Sequence, residues 1–313
     1  MRARSDLASH ARRRALGLVL WALSAGAFAQ QTTVRDDRAG EHRFPAPPQR
    51  VVTLLPSLTE AVCAVGACDR LVGTDRYSNW PARVVALPKL GGLDDAVVEG
   101  IVALRPDVVL AASSTRALAR LESLGLKVLR FDADRHEQVR ATLERVGRLF
   151  GAPEAAQAAW QAVQADLARA ALRVPAAWYG RRVYFEVDAT PYAAGEASFI
   201  GQTLQRLQLR NIASAAAGAP GAFSRLSPEF VVQARPDLIL TARRHAAQMR
   251  LRPGWDGLSA LRGGRVCEFD ESAYELLIRP GPRLGEAALV IADCLATLQP
   301  PVAATSAGAP PRP

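Results

Sequence analysis

The chain has 313 residues, 49% of them hydrophobic and only 6% aromatic, with a formal net charge of +9. That is enough chain for one large or two medium domains, each with its own core. Five Arg and one Asp fall in residues 1–29, no Lys/Arg-rich run follows Arg14 and no nucleic-acid motif occurs, so the remaining positive charge reads as a solvated surface rather than a nucleic-acid site.

Taken in chain order, residues 1–29 read as a secretory signal peptide. Arg12, Arg13 and Arg14 form the positive region, Ala15 to Ala25 an apolar core too short to span a bilayer, and Ala27-Phe28-Ala29 a small-x-small cleavage site. No Cys follows closely, which disfavours a lipid anchor. Residues 30–48 are polar, then Pro-rich, and read as a leader strand or loop. Val51 to Leu55 is a short apolar run of the buried-strand type, ended by Pro56. Ser57-Leu58-Thr59-Glu60 has the capping-box pattern of a helix start, and Gly66 closes that helix. Leu71 to Thr74, Val108 to Ala111 and Lys127 to Phe131 read as further strands, separated by helical patterns.

The Ala-rich stretch from Pro153 to Arg173 holds no internal Gly or Pro and predicts one continuous helix roughly 30 Å long. Alternation then resumes: strands at Arg182 to Val187, Leu238 to Thr241 and Arg265 to Phe269, and helices at Phe199 to Leu207 and Gly285 to Thr297. Residues 299–313 read as a disordered tail. Cys63, Cys68, Cys267 and Cys294 suit an oxidising compartment. They read either as two bridges, 63 with 68 and 267 with 294, or as four small buried hydrophobes. Their spacing matches no zinc-ligand pattern.

Two segments repeat without a gap: Glu99 to Leu110 (EGIVALRPDVVL) and Glu229 to Leu240 (EFVVQARPDLIL). Each is a short helix stopped by a Pro (Pro106, Pro236), then a buried strand. The repeat predicts an α/β fold of two related, Rossmann-like lobes with mostly parallel sheets, covering residues 44–151 and 180–298. One long rigid helix, residues 152–174, joins them, with a ligand cleft between. A single helix offers no pair of flexible strands to bend, so closure on ligand is expected to be small.

These residues resemble the helical-backbone metal receptors, periplasmic binding proteins for cobalamin, iron–siderophores and haem. The resemblance covers roughly residues 44–298. It is carried by Arg50 to Glu60 (RVVTLLPSLTE), Val72 to Pro81 (VGTDRYSNWP), Gly91-Gly92 followed by the Glu99 repeat, and Arg279 to Arg283 (RPGPR). The Tyr-Ser-x-aromatic-Pro segment is most similar to the cobalamin branch. The resemblance implies a monomeric receptor that captures a corrinoid in the periplasm and delivers it to the permease dimer of an inner-membrane ABC importer, with no resident cofactor and no bound metal of its own. It gives Tyr77 as a ligand contact, Phe223 as the matching aromatic of the opposite lobe, and Glu99 and Glu229 as the acidic knobs that dock on permease arginines. Leu93 and Ala112 stand where the family has aromatic residues.

A corrin is a broad, partly apolar disc rimmed with amides, so it suits aromatic faces plus a few hydrogen-bonding groups. Tyr77, Trp80, Phe223 and Tyr274 supply candidate faces. Ser57, Asn79 and Ser113 supply polar contacts, and Gly92 and Leu93 complete the set. Arg279 either contacts ligand or holds the Pro-Gly-Pro turn. The rival cargo is a ferric siderophore, held by Arg76, Arg116, Arg225 and Arg279, or haem, with Tyr77 or Tyr274 as axial ligand. An enzyme is disfavoured: no nucleophile elbow, P-loop or Gly-x-Gly-x-x-Gly occurs, and His42, His136 and His245 are scattered.

Overall fold

The structure, a computed structural model, describes residues 31–188, 192–215 and 222–301. The expected signal segment, and the tail beyond residue 301, lie outside them. The polar leader forms an antiparallel hairpin, β1 (Thr32–Arg35) and β2 (Glu41–Phe44), whose Val34 and Phe44 are buried in the first lobe. The N-terminal lobe then runs β3 (Val51–Thr53), α1 (Pro56–Ala64), β4 (Leu71–Thr74), α2 (Val98–Ala103), β5 (Val108–Ala111), α3 (Leu118–Ser123), β6 (Val128–Arg130) and α4 (His136–Phe150). Its sheet is parallel throughout, in the order β4-β3-β5-β6. α1 and α4 pack on one face, α2 and α3 on the other. The strands are buried because β-branched and apolar residues fill both faces, as a parallel sheet covered on both sides requires.

α5 (Pro153–Arg173) leads to the C-terminal lobe: β7 (Arg182–Asp188), β8 (Tyr192–Ala194), α6 (Phe199–Arg206), β9 (Arg210–Asn211), β10 (Phe223–Arg225), α7 (Pro228–Ala234), β11 (Leu238–Ala242), α8 (Arg243–Met249), α9 (Ser259–Arg262), β12 (Val266–Phe269), α10 (Glu271–Leu277) and α11 (Leu284–Thr297). Its parallel strands follow the order β9-β7-β11-β12, the same as in the first lobe. β8 and β10 extend the far end of β7 as an antiparallel addition.

The two lobes share more than the repeated stretch. Arg105 and Arg235 both adopt left-handed backbone, with φ of 44° and 46°. Each precedes a Pro, which disfavours the right-handed helical region, so each ends its helix as a left-handed cap. The next Asp then ties down the first strand of its lobe. The Asp107 carboxylate accepts the Gln49 and Arg50 amides at 2.7 and 2.8 Å, and that of Asp237 accepts the Arg182 amide at 2.9 Å. Arg50 and Arg182 are therefore equivalent positions as well.

Glycines on its neighbours let α5 pack closely at its first turn and at its middle. A Cβ on Gly147 of α4 would lie 2.5 Å from the Ala156 Cβ, and one on Gly285 of α11 would lie 2.8 Å from the Val163 carbonyl oxygen and collide with Asp166. Trp160 of α5 packs against the cores of both lobes. Cys63 is bonded to Cys68 and Cys267 to Cys294, the first of the two readings of the cysteines. Gly66, at φ 81°, follows the end of α1.

The capping box is a correction. Pro56 is itself the first residue of α1 and Leu55 its cap, with no side-chain capping bond. Ser57 is therefore already inside the first turn. Glu60 is buried and turns to Arg279 rather than back to the helix start.

Candidate ligand cleft and docking residues

The loop after β4 carries Tyr77, and a ladder of buried hydroxyls builds it. Thr53 Oγ1 and Thr59 Oγ1 are 2.6 Å apart, Thr59 Oγ1 and Ser78 Oγ 2.7 Å, and Ser78 donates to the Asp75 carboxylate, whose other oxygen accepts the Tyr77 amide at 2.8 Å. Lys89 Nζ closes the loop from the side, donating to the Ser78 carbonyl at 2.6 Å and to Thr74 Oγ1 at 3.0 Å. Burial pushes the Asp75 carboxyl up, against the pull of the Ser78 hydroxyl and the Tyr77 amide. The result is a fixed loop with a protruding ring: Tyr77 is 57% exposed. Gly92, its amide bonded to Asp95, lies against that ring, since a Cβ there would come within 3.3 Å of it. Leu93 is exposed on the same segment.

On the C-terminal lobe Phe223 sits on β10, stacked on Tyr192 of β8 (centroids 6.4 Å apart, planes 11° apart) and edge-on to Phe199 (6.0 Å). Tyr192, 38% exposed, is an aromatic face that sequence reasoning missed. Only the β8–β10 pairing brings it beside Phe223, and no local pattern announces that pairing. A second missed residue is Arg38, in the turn between β1 and β2, which donates to Ser113 Oγ at 3.2 Å. Ser113 is half-buried just past β5, its amide bonded to Asp132.

Other expected contacts do not reach a surface. Tyr274 is only 1% exposed, stacks on Phe185 and donates its hydroxyl to the Glu186 carbonyl at 2.7 Å. α10 turns it into the core, so it is neither a ligand face nor an axial ligand. Burial pushes its hydroxyl well above the ordinary tyrosine value, so it stays protonated near neutrality. Ser57 is buried beneath Gly281. Asn79 has both ends of its amide engaged, the oxygen by Arg279 at 2.8 Å and the nitrogen by Glu275 at 2.7 Å. Arg279 is 8% exposed and spends its guanidinium on Glu60, Asn79, the Tyr77 carbonyl and Glu275, so it contacts protein rather than solvent. Trp80 keeps 38% exposure with the Arg283 guanidinium 4.5 Å from its ring centre.

The cations that would suit an anionic chelate are mostly neutralised. Arg76 pairs with Asp95, Arg116 with Asp94 at 3.0 Å, and Arg279 with Glu60 at 3.2 Å. Arg225 makes no ion pair among the described residues. A groove of about 810 Å³ straddles the lobes near Asp37, Asp134, Arg145 and Ala222. Its walls mix Arg with carboxylates, Arg145 and Asp37 pairing at 2.5 Å, so it lacks the apolar lining of a chelate site and lies apart from Tyr77. No cluster of three or more His, Cys, Asp or Glu among the described residues is placed to hold a metal ion. Glu99 and Glu229 are each the second residue of their helix, α2 and α7, both exposed and in no ion pair among the described residues.

Two like-ordered α/β lobes joined by one helix define the two-lobed solute-binding proteins. The periplasmic binding protein family matches residues 51–273, and the chain belongs to that family. It is 28% identical over 259 residues to an uncharacterized ABC transporter substrate-binding lipoprotein of Bacillus subtilis, covering 79% of this chain and 80% of the relative. It is 30% identical over 214 residues to the vitamin B12-binding protein of Salmonella paratyphi A, covering 67% and 78%. Among solved structures, a periplasmic heme-binding protein of Pseudomonas aeruginosa superposes with a TM-score of 0.68 at 27% identity, covering 82% of this chain and 95% of that one.

Proposed function

We propose that this chain is the solute-binding component of an ABC importer, working outside the cytoplasm as a monomer, and that its cargo is a corrinoid such as cobalamin. The metal-chelate is cargo, no resident cofactor is needed, and no catalytic role is assigned. One observation carries the choice of cargo: Arg76 and Arg116 are paired with aspartates, while the Tyr77 and Tyr192 rings are exposed and Tyr192 stacks on the half-buried Phe223. Such a cleft offers aromatic faces rather than net positive charge, which favours an amide-rimmed disc over a polyanionic siderophore. The kinship with a vitamin B12-binding protein supports the same reading. Tyr77 and Phe223 then face one ligand from opposite lobes, and Glu99 and Glu229 meet arginines of the permease dimer.

Haem is the second reading, because the Tyr77 hydroxyl is exposed and makes no hydrogen bond among the described residues, which leaves it free to ligate iron. The test is retention of cyanocobalamin, haemin or a ferric siderophore after desalting, read by absorbance. A corrinoid receptor retains cyanocobalamin. Tyr77→Ala and Phe223→Ala should each cost about 1–3 kcal/mol of affinity through a lost aromatic face, whereas Tyr77→Phe should be tolerated. Haemin retention whose Soret band changes in Tyr77→Phe would establish the haem reading instead. Retention of none of the three would sink both.

A further inference from the structure

We infer that Arg279 is a positioning residue: from the C-terminal lobe it holds the Tyr77 loop of the N-terminal lobe in place, so that the two walls of the cleft move as one unit. The inference rests on the reading of Tyr77 as a ligand wall.

The geometry is that of a fork. One terminal nitrogen of the guanidinium donates to Glu60 Oε1 at 3.2 Å and Asn79 Oδ1 at 2.8 Å. The other donates to the Tyr77 carbonyl at 3.0 Å and to Glu275 Oε2 at 2.7 Å. Three of these four acceptors belong to the other lobe. Glu275, one turn earlier on α10, also accepts the Asn79 amide at 2.7 Å, so it orients Arg279 and binds the same loop. Both lobes come close enough because position 281 is Gly: a Cβ there would lie 3.3 Å from Ser57 Cβ and 3.4 Å from Glu60 Oε2. Two residues on, Arg283 covers Trp80. One turn of the C-terminal lobe thus touches three successive parts of the loop: the Tyr77 carbonyl, the Asn79 amide and the Trp80 ring.

The division of labour is visible in the loop's own bonds. Within the loop, Asp75 bonds Tyr77 and Ser78 and Lys89 bonds Ser78, and Lys89 then reaches past the loop to the Val84 carbonyl at 3.2 Å. Asn79 is held from the other lobe alone, and the Tyr77 carbonyl accepts only from Arg279 among the described residues. A planar fork can serve Glu60, Asn79 and the carbonyl together; a lysine ammonium is a point charge and cannot span them. The pair is also costly to break from one side, because Glu60 is buried and its Oε2 already lacks a hydrogen-bond partner.

The test uses Arg279→Lys and Arg279→Met in the full mature protein, with amide hydrogen exchange read without ligand. Exchange at Tyr77 and Ser78 should rise at least about tenfold, while amides of β3, β5 and β11 keep their protection. Affinity for cyanocobalamin and haemin gives the second readout: Arg279→Lys should weaken binding in the wild-type background and add nothing in a Tyr77→Ala background. Unchanged exchange at Tyr77 and Ser78, or a rise spread evenly over both lobes, would overturn the inference. So would an additive loss of affinity in the double variant. If Arg279→Met does not fold, Arg279→Lys decides. A protein that binds neither probe defeats the corrinoid and haem readings alone, since the exchange measurement needs no ligand.

Discussion

Lowering the pH from about 7 to about 5 should loosen the junction of the two lobes through His136. This residue opens α4 and is 8% exposed. Its backbone amide donates to Gln202 Oε1 at 2.8 Å, and its Nε2 lies 3.0 Å from both the Phe199 carbonyl and Thr203 Oγ1 of α6. The carbonyl can only accept, so Nε2 carries the proton in the neutral ring. Burial depresses the ring from its ordinary 6.5 to about 4, Arg206 adds to the depression, and the Phe199 carbonyl opposes it. A depressed folded-state value means that the neutral ring is preferred in the folded protein. The stability it brings is complete above 6.5 and is lost as the pH falls toward 4. Integrating between those values gives a loss of about 2 kcal/mol from about pH 7 to about pH 5. Glu60, pushed up to about 7 by burial against the pull of Arg279 and Arg283, acts in the opposite sense over the same range, so absolute stability against pH is a poor readout. The difference between wild type and His136→Gln cancels Glu60 and isolates the imidazole. Denaturant unfolding of both proteins at the two pH values should show wild type losing about 2 kcal/mol more than His136→Gln on acidification. Equal acid sensitivity would refute the argument.

Glu99→Ala and Glu229→Ala should each reduce ligand uptake in cells, the double change more so, with the purified receptor's ligand affinity unchanged; a parallel fall in affinity would remove them as docking residues. Gly285→Ala should cost about 1–3 kcal/mol by overpacking the α5–α11 contact, seen as a lower denaturation midpoint at unchanged slope. Replacing Cys267 and Cys294 with Ala should cost more than replacing Cys63 and Cys68. The loops closed span 27 and 5 residues, which in the chain-entropy account correspond to about 3.5 and about 2 kcal/mol, measurable by thermal unfolding.

Most of the architecture was legible because it is written locally. The strands are short apolar runs bounded by Pro, Gly or Asp, and α5 spans Pro153–Arg173, where helix-forming residues run without interruption. The lobe duplication was legible because a helix stopped before Arg-Pro-Asp and followed by a strand needs the same residues each time. The capping pattern at Ser57 misled because Glu60 had a stronger partner 219 residues away. The polar leader at 30–48 hid a hairpin because short two-stranded pairs gain their stability from what they pack against.

The candidate site was legible only in part. Tyr77 follows the end of β4, where ligands meet α/β lobes, and local sequence marks that place. Which way a ring faces is a different matter. Tyr274 also follows a strand and is buried, whereas Tyr192, on a three-residue strand, is exposed beside Phe223. Sequence by itself determined the two lobes, the rigid helix between them and the paired acidic helix starts, because periodicity, caps and repeats act over a few residues. Only the tertiary structure decided that Arg279 is buried against Glu60, Asn79 and the Tyr77 carbonyl of the other lobe, and that Arg76 and Arg116 pair with aspartates. Those outcomes depend on where chain segments distant in sequence come to lie, and on the cost of leaving a buried charge such as Glu60 without an opposite partner.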